Sequence, residues 1–436
     1  MLRRFRYRSF KKTYGLINKL IASPDFIARH RHEPRDFTRE RTLTFDRLIM
    51  FLLNQIKCSL QSELDRFFPL INFAEAGQRI VTNAALSKAR KKLKASAFIE
   101  LNEQSLITFY EDFPVQKTWH GLRLLAVDGS KVELPNDIEI RDKFGTGKMS
   151  DCPMGLLSTL YDLNHRLWLD ADLSPITKSE REHAVKHLEK TKEGDLILYD
   201  RGYPAFWFFA LHRQQERDFC IRLQRSLFPE TDDFFNSGES EKIITLKASK
   251  PRRRDCRKYS IPYHPFTIRL IRVELDSGDI EVLATSLLDT QQYPAEIFSD
   301  LYHKRWGHEE GYKHLKIHGE LQNWSGKKLA TVFQDLHAKL LTLNLTSMQM
   351  AVAQVRVDER TKNRKHRYQI NRAQALSRMK DTMIHILNRK DPTRWIRQLI
   401  GSMAENINPI RPGRKFERKH QQRAGVRVNP TYKRGW

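Results

Sequence analysis

The sequence predicts an α/β protein: a mixed sheet flanked by helices, interrupted by a β-rich insertion and framed by helical N- and C-terminal regions. Three observations carry this expectation. Residues 122–225 alternate short apolar runs with helix signatures, in the order three strands, helix, strand, helix, strand. Residues 226–293 hold further β-like runs, with a turn signal between the last two. On either side, apolar residues recur at three- and four-residue steps, the period of a helix.

In chain order, Thr44 is placed to cap a helix whose face is Leu48, Ile49, Phe51, Leu52 and Ile56, with Asp46 in its first turn. The next short helix should stop before Pro69. Asn83 is the expected cap of a helix over 84–94, with Leu86, Ala89 and Leu93 as its apolar stripe. Lys88, Arg90, Lys91, Lys92 and Lys94 surround that stripe, as a solvated basic face or as a surface for a phosphate backbone. A buried strand over 122–127 ends at Asp128-Gly129-Ser130, and strands over 156–161 and 167–173 flank a turn at Asn164-His165. Ser179 opens a helix to residue 190, with Glu180 and Glu182 in its first turn. The strand over 196–199 ends at Asp200; a helix over 204–212 and a strand over 219–223 follow.

Within the insertion, 243–246, 266–273 and 280–286 read as strands, with a turn at 276–279. A basic run of Lys250, Arg252, Arg253, Arg254, Arg257 and Lys258 sits among them. Helices are expected over 302–316, 329–355 and 371–387, and again after Asp391 as cap with Pro392 first, where Trp395, Leu399 and Ile400 form an apolar face. The regions are therefore 1–115, a helical N-terminal region; 116–225 and 294–356, two parts of one α/β domain; 226–293, the insertion; 357–410, a helical region; and 411–436, a basic disordered tail with nine Lys/Arg against one acid.

The 436 residues carry 77 Lys+Arg against 52 Asp+Glu, a formal charge of +25. Self-repulsion on that scale is relieved by a polyanion, which makes nucleic acid the expected partner. A membrane span is not expected: the most apolar long stretch, 329–355, is broken by Gln334, Asp335, His337, Lys339 and Asn344. The basic N-terminus lacks the apolar core of a signal peptide. Cys58, Cys152, Cys220 and Cys256 form no CxxC pair, which argues against zinc and a disulfide framework and suits a reducing cytoplasm.

The chemistry rests on three acids. Asp128 and Asp200 each end a buried strand, where side chains of an α/β sheet meet in a crevice. Glu309 belongs to a polar helical stripe of Tyr302, Arg305, Glu309, Tyr312 and Lys316, which is either a salt-bridged surface or a functional face. Three converging carboxylates repel unless a cation compensates them, and all-oxygen ligands favour Mg²⁺, with Mn²⁺ able to substitute. Two such ions about 3.5–4 Å apart serve phosphoryl transfer. Glu310 falls about 100° off the stripe. Asp151, Asp162, Asp170 and Asp172 read as ordinary surface acids, and the pairs His183/His187 and His314/His318 lack a HExxH arrangement. Trp168 reads as core, and Trp324 as core or a family-specific packing residue.

Tyr302, Arg305, Glu309 and Lys316 also satisfy a Tyr-x2-Arg-x3-Glu-x6-Lys signature. With Val127-Asp128-Gly129-Ser130, Tyr199-Asp200-Arg201-Gly202-Tyr203-Pro204, Asn323-Trp324-Ser325-Gly326-Lys327 and the basic segment 87–92, it resembles the DDE transposases of the bacterial insertion-sequence IS-four type, over roughly residues 80–350. The resemblance implies a DNA-binding role for 1–115 and a ribonuclease-H-like catalytic domain made of 116–225 and 294–356, in which Asp128, Asp200 and Glu309 hold two metal ions. It implies DNA contacts by Tyr302, Arg305 and Lys316, with Lys88, Arg90, Lys91, Arg252, Arg253 and Arg254 as further basic candidates. It implies a homodimer on paired transposon ends, acting by cut-and-paste on terminal repeats and target DNA in a bacterial cytoplasm, at the nucleoid. In this group an aromatic of the insertion can stack on a flipped base during hairpin formation; no Trp lies between Trp207 and Trp306, leaving Tyr259, Tyr263, Phe266 or Trp306 itself. The alternatives are a metal-dependent nuclease without strand transfer, and a domesticated, non-catalytic DNA-binding protein.

Overall fold

The computed structural model describes residues 2–39, 41–75, 77–113, 118–146, 152–275 and 278–411. Asp151, the expected tail over 412–436 and the first half of the 276–279 turn lie outside them. Eight strands form one sheet: β1 (Arg123–Glu133), β2 (Met154–Asp162), β3 (Leu167–Pro175), β4 (Asp195–Tyr199), β5 (Asp218–Arg222), β6 (Glu241–Leu246), β7 (Phe266–Glu274) and β8 (Ile280–Thr285), in the order β3-β2-β1-β4-β5-β8-β7-β6. β4 runs parallel to β1 and β5, while β2 and β3 form an antiparallel hairpin. The 3-2-1-4-5 order with that mixture of directions is the ribonuclease-H-like arrangement.

β4 is buried along its whole length, as a parallel strand covered on both faces requires. Its residues Leu196 and Leu198 join Leu124, Ala126, Cys220, Ile271 and Leu283 in one core cluster, closed by Phe298, Leu301 and Tyr302. The insertion strands continue this sheet, because β8 pairs antiparallel with β5. The basic run of the insertion is helical, Lys250–Lys258, with Cys256 as its buried residue.

The chain divides into two compact units: the described residues of Met1–Val115, Val132–Met154 and Lys313–Trp436, and those of Gln116–Lys131 and Gly155–Tyr312. The first is built around the 33-residue helix Leu329–Thr361 and contains a small antiparallel pair, β9 (Arg367–Ile370) and β10 (Ile407–Ile410), that the sequence did not signal. No helix among the described residues is long and apolar enough to cross a membrane.

Several helix limits differ from expectation. Leu60–Leu70 includes Pro69, which sits in the last turn, where the amides of Ile71 and Asn72 bond back to Phe67 and Pro69. Thr82, not Asn83, caps the helix Asn83–Arg90, accepting from the Ala85 amide. That helix stops at Arg90 instead of residue 94, since the Lys94 amide bonds to the His30 carbonyl. The expected helix over 371–387 is two, Arg372–Met379 and Thr382–Leu387. Between them Asp381 adopts φ 62°, held by Asn54 and Arg66, while Lys380 reaches Glu63 at 2.7 Å. The last helix, Thr393–Glu405, starts one residue later than expected, and Asp391 accepts from the Thr393 amide.

His212 illustrates how the core was assembled from polar residues. It is fully buried, donates from Nδ1 to the Phe208 carbonyl and accepts at Nε2 from the Tyr199 hydroxyl at 2.9 Å, which requires the neutral ring. Burial lowers its pKa to about 4. The unfolded chain therefore binds a proton near pH 6.5 that the folded chain refuses until about pH 4. Stability from this group is complete above pH 6.5 and falls as pH drops, by roughly 3 kcal/mol at most. Urea titrations of the wild type at pH 7 and pH 4.5 should show this loss, and His212→Gln should flatten the slope; an unchanged slope would mean that the ring is not held neutral.

Candidate catalytic centre

The parallel ladder between β1 and β4 ends at Ala126 and Leu198. Asp200 follows β4 directly. Asp128 lies two residues beyond the end of that ladder, but within a strand that runs on to Glu133, not at a strand end as expected. Each acid accepts from a nearby amide: Asp128 Oδ1 from Gly129 at 2.8 Å, Asp200 Oδ1 from Gly202 at 2.5 Å. Burial pushes the Asp128 carboxyl up to about 6; Asp200 and Glu180 add repulsion in the same direction, against the Gly129 amide and the Arg305 cation.

The signature segment is not one helix. Ile297–His303 and Trp306–Ile317 meet at residues 304–305, where the amides of Lys304, Arg305, Gly307 and His308 each bond three residues back. This tighter winding brings residues three apart nearly into line, so Arg305 lies beside the Tyr302 ring, 5.7 Å from its centre. Arg305 Nη2 then donates to Glu309 Oε1 at 3.0 Å, and Nη1 lies 3.7 Å from Asp128 Oδ2. One guanidinium thus bridges two of the three acids, and its Nε is buried with no hydrogen-bond partner among the described residues.

Glu309 is fixed by its neighbours on the helix. The Tyr312 hydroxyl accepts from Thr159 and lies within reach of the carbonyls of Asp128 (3.0 Å) and Leu157 (2.9 Å). His308 is fully buried, stacks between Tyr161 and Tyr312, and bonds to Thr159 Oγ1 at 2.8 Å. Gly311 permits the close approach, since a Cβ there would stand 3.1 Å from the Tyr161 ring and 3.3 Å from Trp168. Trp168 is core.

The basic and aromatic candidates fall into two groups. Arg90, read as a DNA contact, is instead buried: Nη2 pairs with Asp335 at 2.8 Å, and Nε and Nη1 donate to Gln334 and Ser325. Tyr302 is likewise buried, its hydroxyl donating to the Tyr199 carbonyl at 3.3 Å, so it supports the end of β4 instead of facing solvent. Arg252 is largely enclosed, bonded to the Lys247 carbonyl and Glu230 and lying over Phe228. Lys88, Lys91, Arg253 and Arg254 are exposed, and Lys316 is half-buried in the last turn of its helix. Of the aromatics, Tyr259 stacks on Trp207 and Phe266 packs on Phe206, whereas Tyr263 and Trp306 are exposed. Trp324 is buried, its indole donating to the Glu133 carbonyl.

An all-oxygen set of like-charged donors, partly neutralised by a guanidinium, has the chemistry of a hard-cation site. Among the described residues, no three acid, His or Cys side chains stand close enough to enclose an ion in this conformation. Glu180 was missed as a neighbour of this site, because a Glu in a helix first turn is explained by the helix dipole alone.

A ribonuclease-H-like sheet with one acid on β1, a second after β4 and a third on a helix beyond the insertion is a framework for phosphoryl transfer. The family model described as "Transposase DDE domain" matches residues 119–345, more than half of the chain, and the chain belongs to that family. It is a transposase of the insertion-sequence IS4 type. It is 26% identical over 364 residues to "Transposase InsG for insertion sequence element IS4" of Escherichia coli K12, covering 79% of this chain and 78% of the relative. It is also 26% identical over 132 residues to "Putative transposase InsZ" of the same organism, covering 29% and 44%. A solved cryo-EM structure of the piggyBac transposase synaptic complex with hairpin DNA aligns at 11% identity and a TM-score of 0.44, over 94% of this chain and 88% of that one, too loosely for any feature to be read from it.

Proposed function

We propose that the chain moves its element by cut-and-paste DNA transposition, with Asp128, Asp200 and Glu309 as the catalytic acids. The observation that carries this reading is the meeting of Asp128 and Glu309 on the single guanidinium of Arg305, beside Asp200, in a chain of this family. The three acids would hold two divalent cations, Mg²⁺ or Mn²⁺. When bound, such ions polarise the scissile phosphate and lower the pKa of the attacking water.

The residues around them have defined work. Arg305 compensates the acids in the metal-free state and turns its guanidinium to a phosphate oxygen when DNA is bound. Tyr302, Tyr312 and His308 keep the three acids in register by tying β4, β1 and β2 to the two helices. Lys316 and the exposed Lys88, Lys91, Arg253 and Arg254 add salt-sensitive backbone binding. Helices within residues 1–115 read the terminal repeats, and two copies of the chain hold the paired ends. Of the candidates Tyr259, Tyr263, Phe266 and Trp306, Tyr263 and Trp306 are exposed enough to receive a flipped base. Water attacks the phosphodiester at the element end and breaks its P–O3′ bond, a proton from the water passing to the departing 3′ oxygen; the 3′-hydroxyl so freed then attacks a target phosphodiester and displaces the 3′ oxygen of the target strand, which takes up the hydroxyl proton.

A nuclease of the same fold would stop after the first step. Supplying precut ends with a free 3′-hydroxyl and a target plasmid separates the two: joined product is expected with Mg²⁺, and its absence under conditions that support cleavage would leave the nuclease.

A further inference from the structure

We infer that Glu180 is a fourth carboxylate of the catalytic centre and helps to hold its divalent cation; this rests on the metal reading above. Glu180 is the first residue of the helix Glu180–Leu188, which follows β3. Two glycines open the space for it. A Cβ on Gly129 would stand 2.7 Å from Glu180 Oε1. A Cβ on Gly202 would stand 3.5 Å from Glu180 Oε2 and 3.2 Å from Asp200 Oδ1. The Glu180 carboxylate therefore enters between the residue after Asp128 and the turn that holds Asp200.

The helix is clamped in that position by two parallel relays. His183 Nδ1 bonds to Asp172 at 2.7 Å and Nε2 to Ser174 at 2.7 Å. One turn on, His187 Nδ1 bonds to Asp170 at 2.7 Å and Nε2 to Ser158 at 3.1 Å. Both imidazoles are fully buried, and Ser158 and Asp172 face each other across the β2–β3 ladder. His183 and His187 are one of the chain's two His pairs at i,i+4 spacing, the other being His314/His318. Their ring nitrogens are committed to β2 and β3, and what they position is the start of the helix.

A first-turn Glu is favourable to a helix dipole by about 0.3–1 kcal/mol wherever it points. That explains Glu182, which turns outward to Lys258 at 2.8 Å. It does not explain Glu180, which is half-buried toward two other acids, makes no hydrogen bond or close ion pair among the described residues, and feels only the longer-range attraction of His183 and Lys131. Like charges gathered in this way are unfavourable unless a cation joins them.

The test is Mn²⁺ titration of the full chain by calorimetry, with thermal melts with and without the ion, on Glu180→Gln, Asp128→Asn and Glu182→Gln. Glu180→Gln should weaken Mn²⁺ binding about 10-fold or more, shrink the Mn²⁺-induced rise in Tm, and leave the metal-free Tm unchanged or higher, since repulsion is removed. Glu182→Gln should match the wild type. Wild-type Mn²⁺ affinity in Glu180→Gln, with Asp128→Asn impaired, would overturn the role of Glu180 alone, as would a lower metal-free Tm for Glu180→Gln with an intact Mn²⁺ response. Wild-type affinity in both variants would overturn the metal reading itself.

Discussion

Replacing Glu309 by Gln should lower divalent-ion-dependent cleavage of transposon ends by about 10³-fold while leaving end binding within a few-fold of wild type. Gln keeps the length of the side chain and can still accept from Arg305, so the helix Trp306–Ile317 should not move. What is lost is the negative charge at a position where metal and transition-state charge must be balanced. The adjacent Glu310 is exposed and off the stripe, so Glu310→Gln serves as the control and should cleave normally. Gel-shift and nicking assays on the same end-containing duplex separate binding from chemistry. A Glu309→Gln protein that nicked within two-fold of wild type would remove Glu309 from the catalytic set, and a Glu310→Gln protein that failed would transfer the role to its neighbour.

The second large effect concerns stability, at Arg90. Its guanidinium and the Asp335 carboxylate are both almost completely buried, and Ser325 and Gln334 complete the network. Burial pushes the Asp335 carboxyl upward, but Arg90, Lys339 and the Ser325 amide outweigh it and hold the group below the usual carboxylate range. Arg90→Ala leaves a buried carboxylate without its partner, a change that costs about 3–5 kcal/mol. Replacing both members by apolar residues of similar volume, Arg90→Met with Asp335→Leu, should recover much of that loss. Thermal melts of the two variants decide between a structural and a DNA-contacting Arg90. A lower Tm in Arg90→Ala, with partial recovery in the double variant, fits the buried network. An unchanged Tm with a shallower salt dependence of DNA binding would return Arg90 to the DNA interface.

Arg90 also marks where the sequence stopped being legible. Its segment reads as an exposed basic face because four neighbouring Lys residues surround it, and nothing local distinguishes the one cation that pairs with an acid 245 positions away. The strands were legible for the opposite reason: residues 124–127 of β1 and 196–199 of β4 are continuously apolar, so their burial is written locally, although the turn-like Asp128-Gly129-Ser130 hid the continuation of β1 to Glu133. Asp128, Asp200 and the Arg305–Glu309 pair were singled out through those apolar runs and through the signature spacing.

The failures follow the same line. Tyr302 and Lys316 look alike as polar members of a stripe, yet the turn at residues 304–305 buries the tyrosine against β4. Helix breaks at Lys380 and Asp381 depend on Glu63 and Asn54, more than 300 residues earlier. Glu180 carries no local sign of its neighbours, because only the packing of its helix on β3 turns a helix-start acid toward Asp128 and Asp200.

The claim that these acids form a metal centre is tested most directly by locating Mn²⁺ through its anomalous scattering in crystals of the protein with a duplex carrying its element's terminal repeat. Peaks are expected within about 2.0–2.3 Å of carboxylate oxygens of Asp128 and Asp200, with Glu309 released from Arg305 to a second peak about 3.5–4 Å away. Mn²⁺ peaks remote from all three acids, or peaks at this site that persist unchanged in Asp128→Asn crystals, would contradict it.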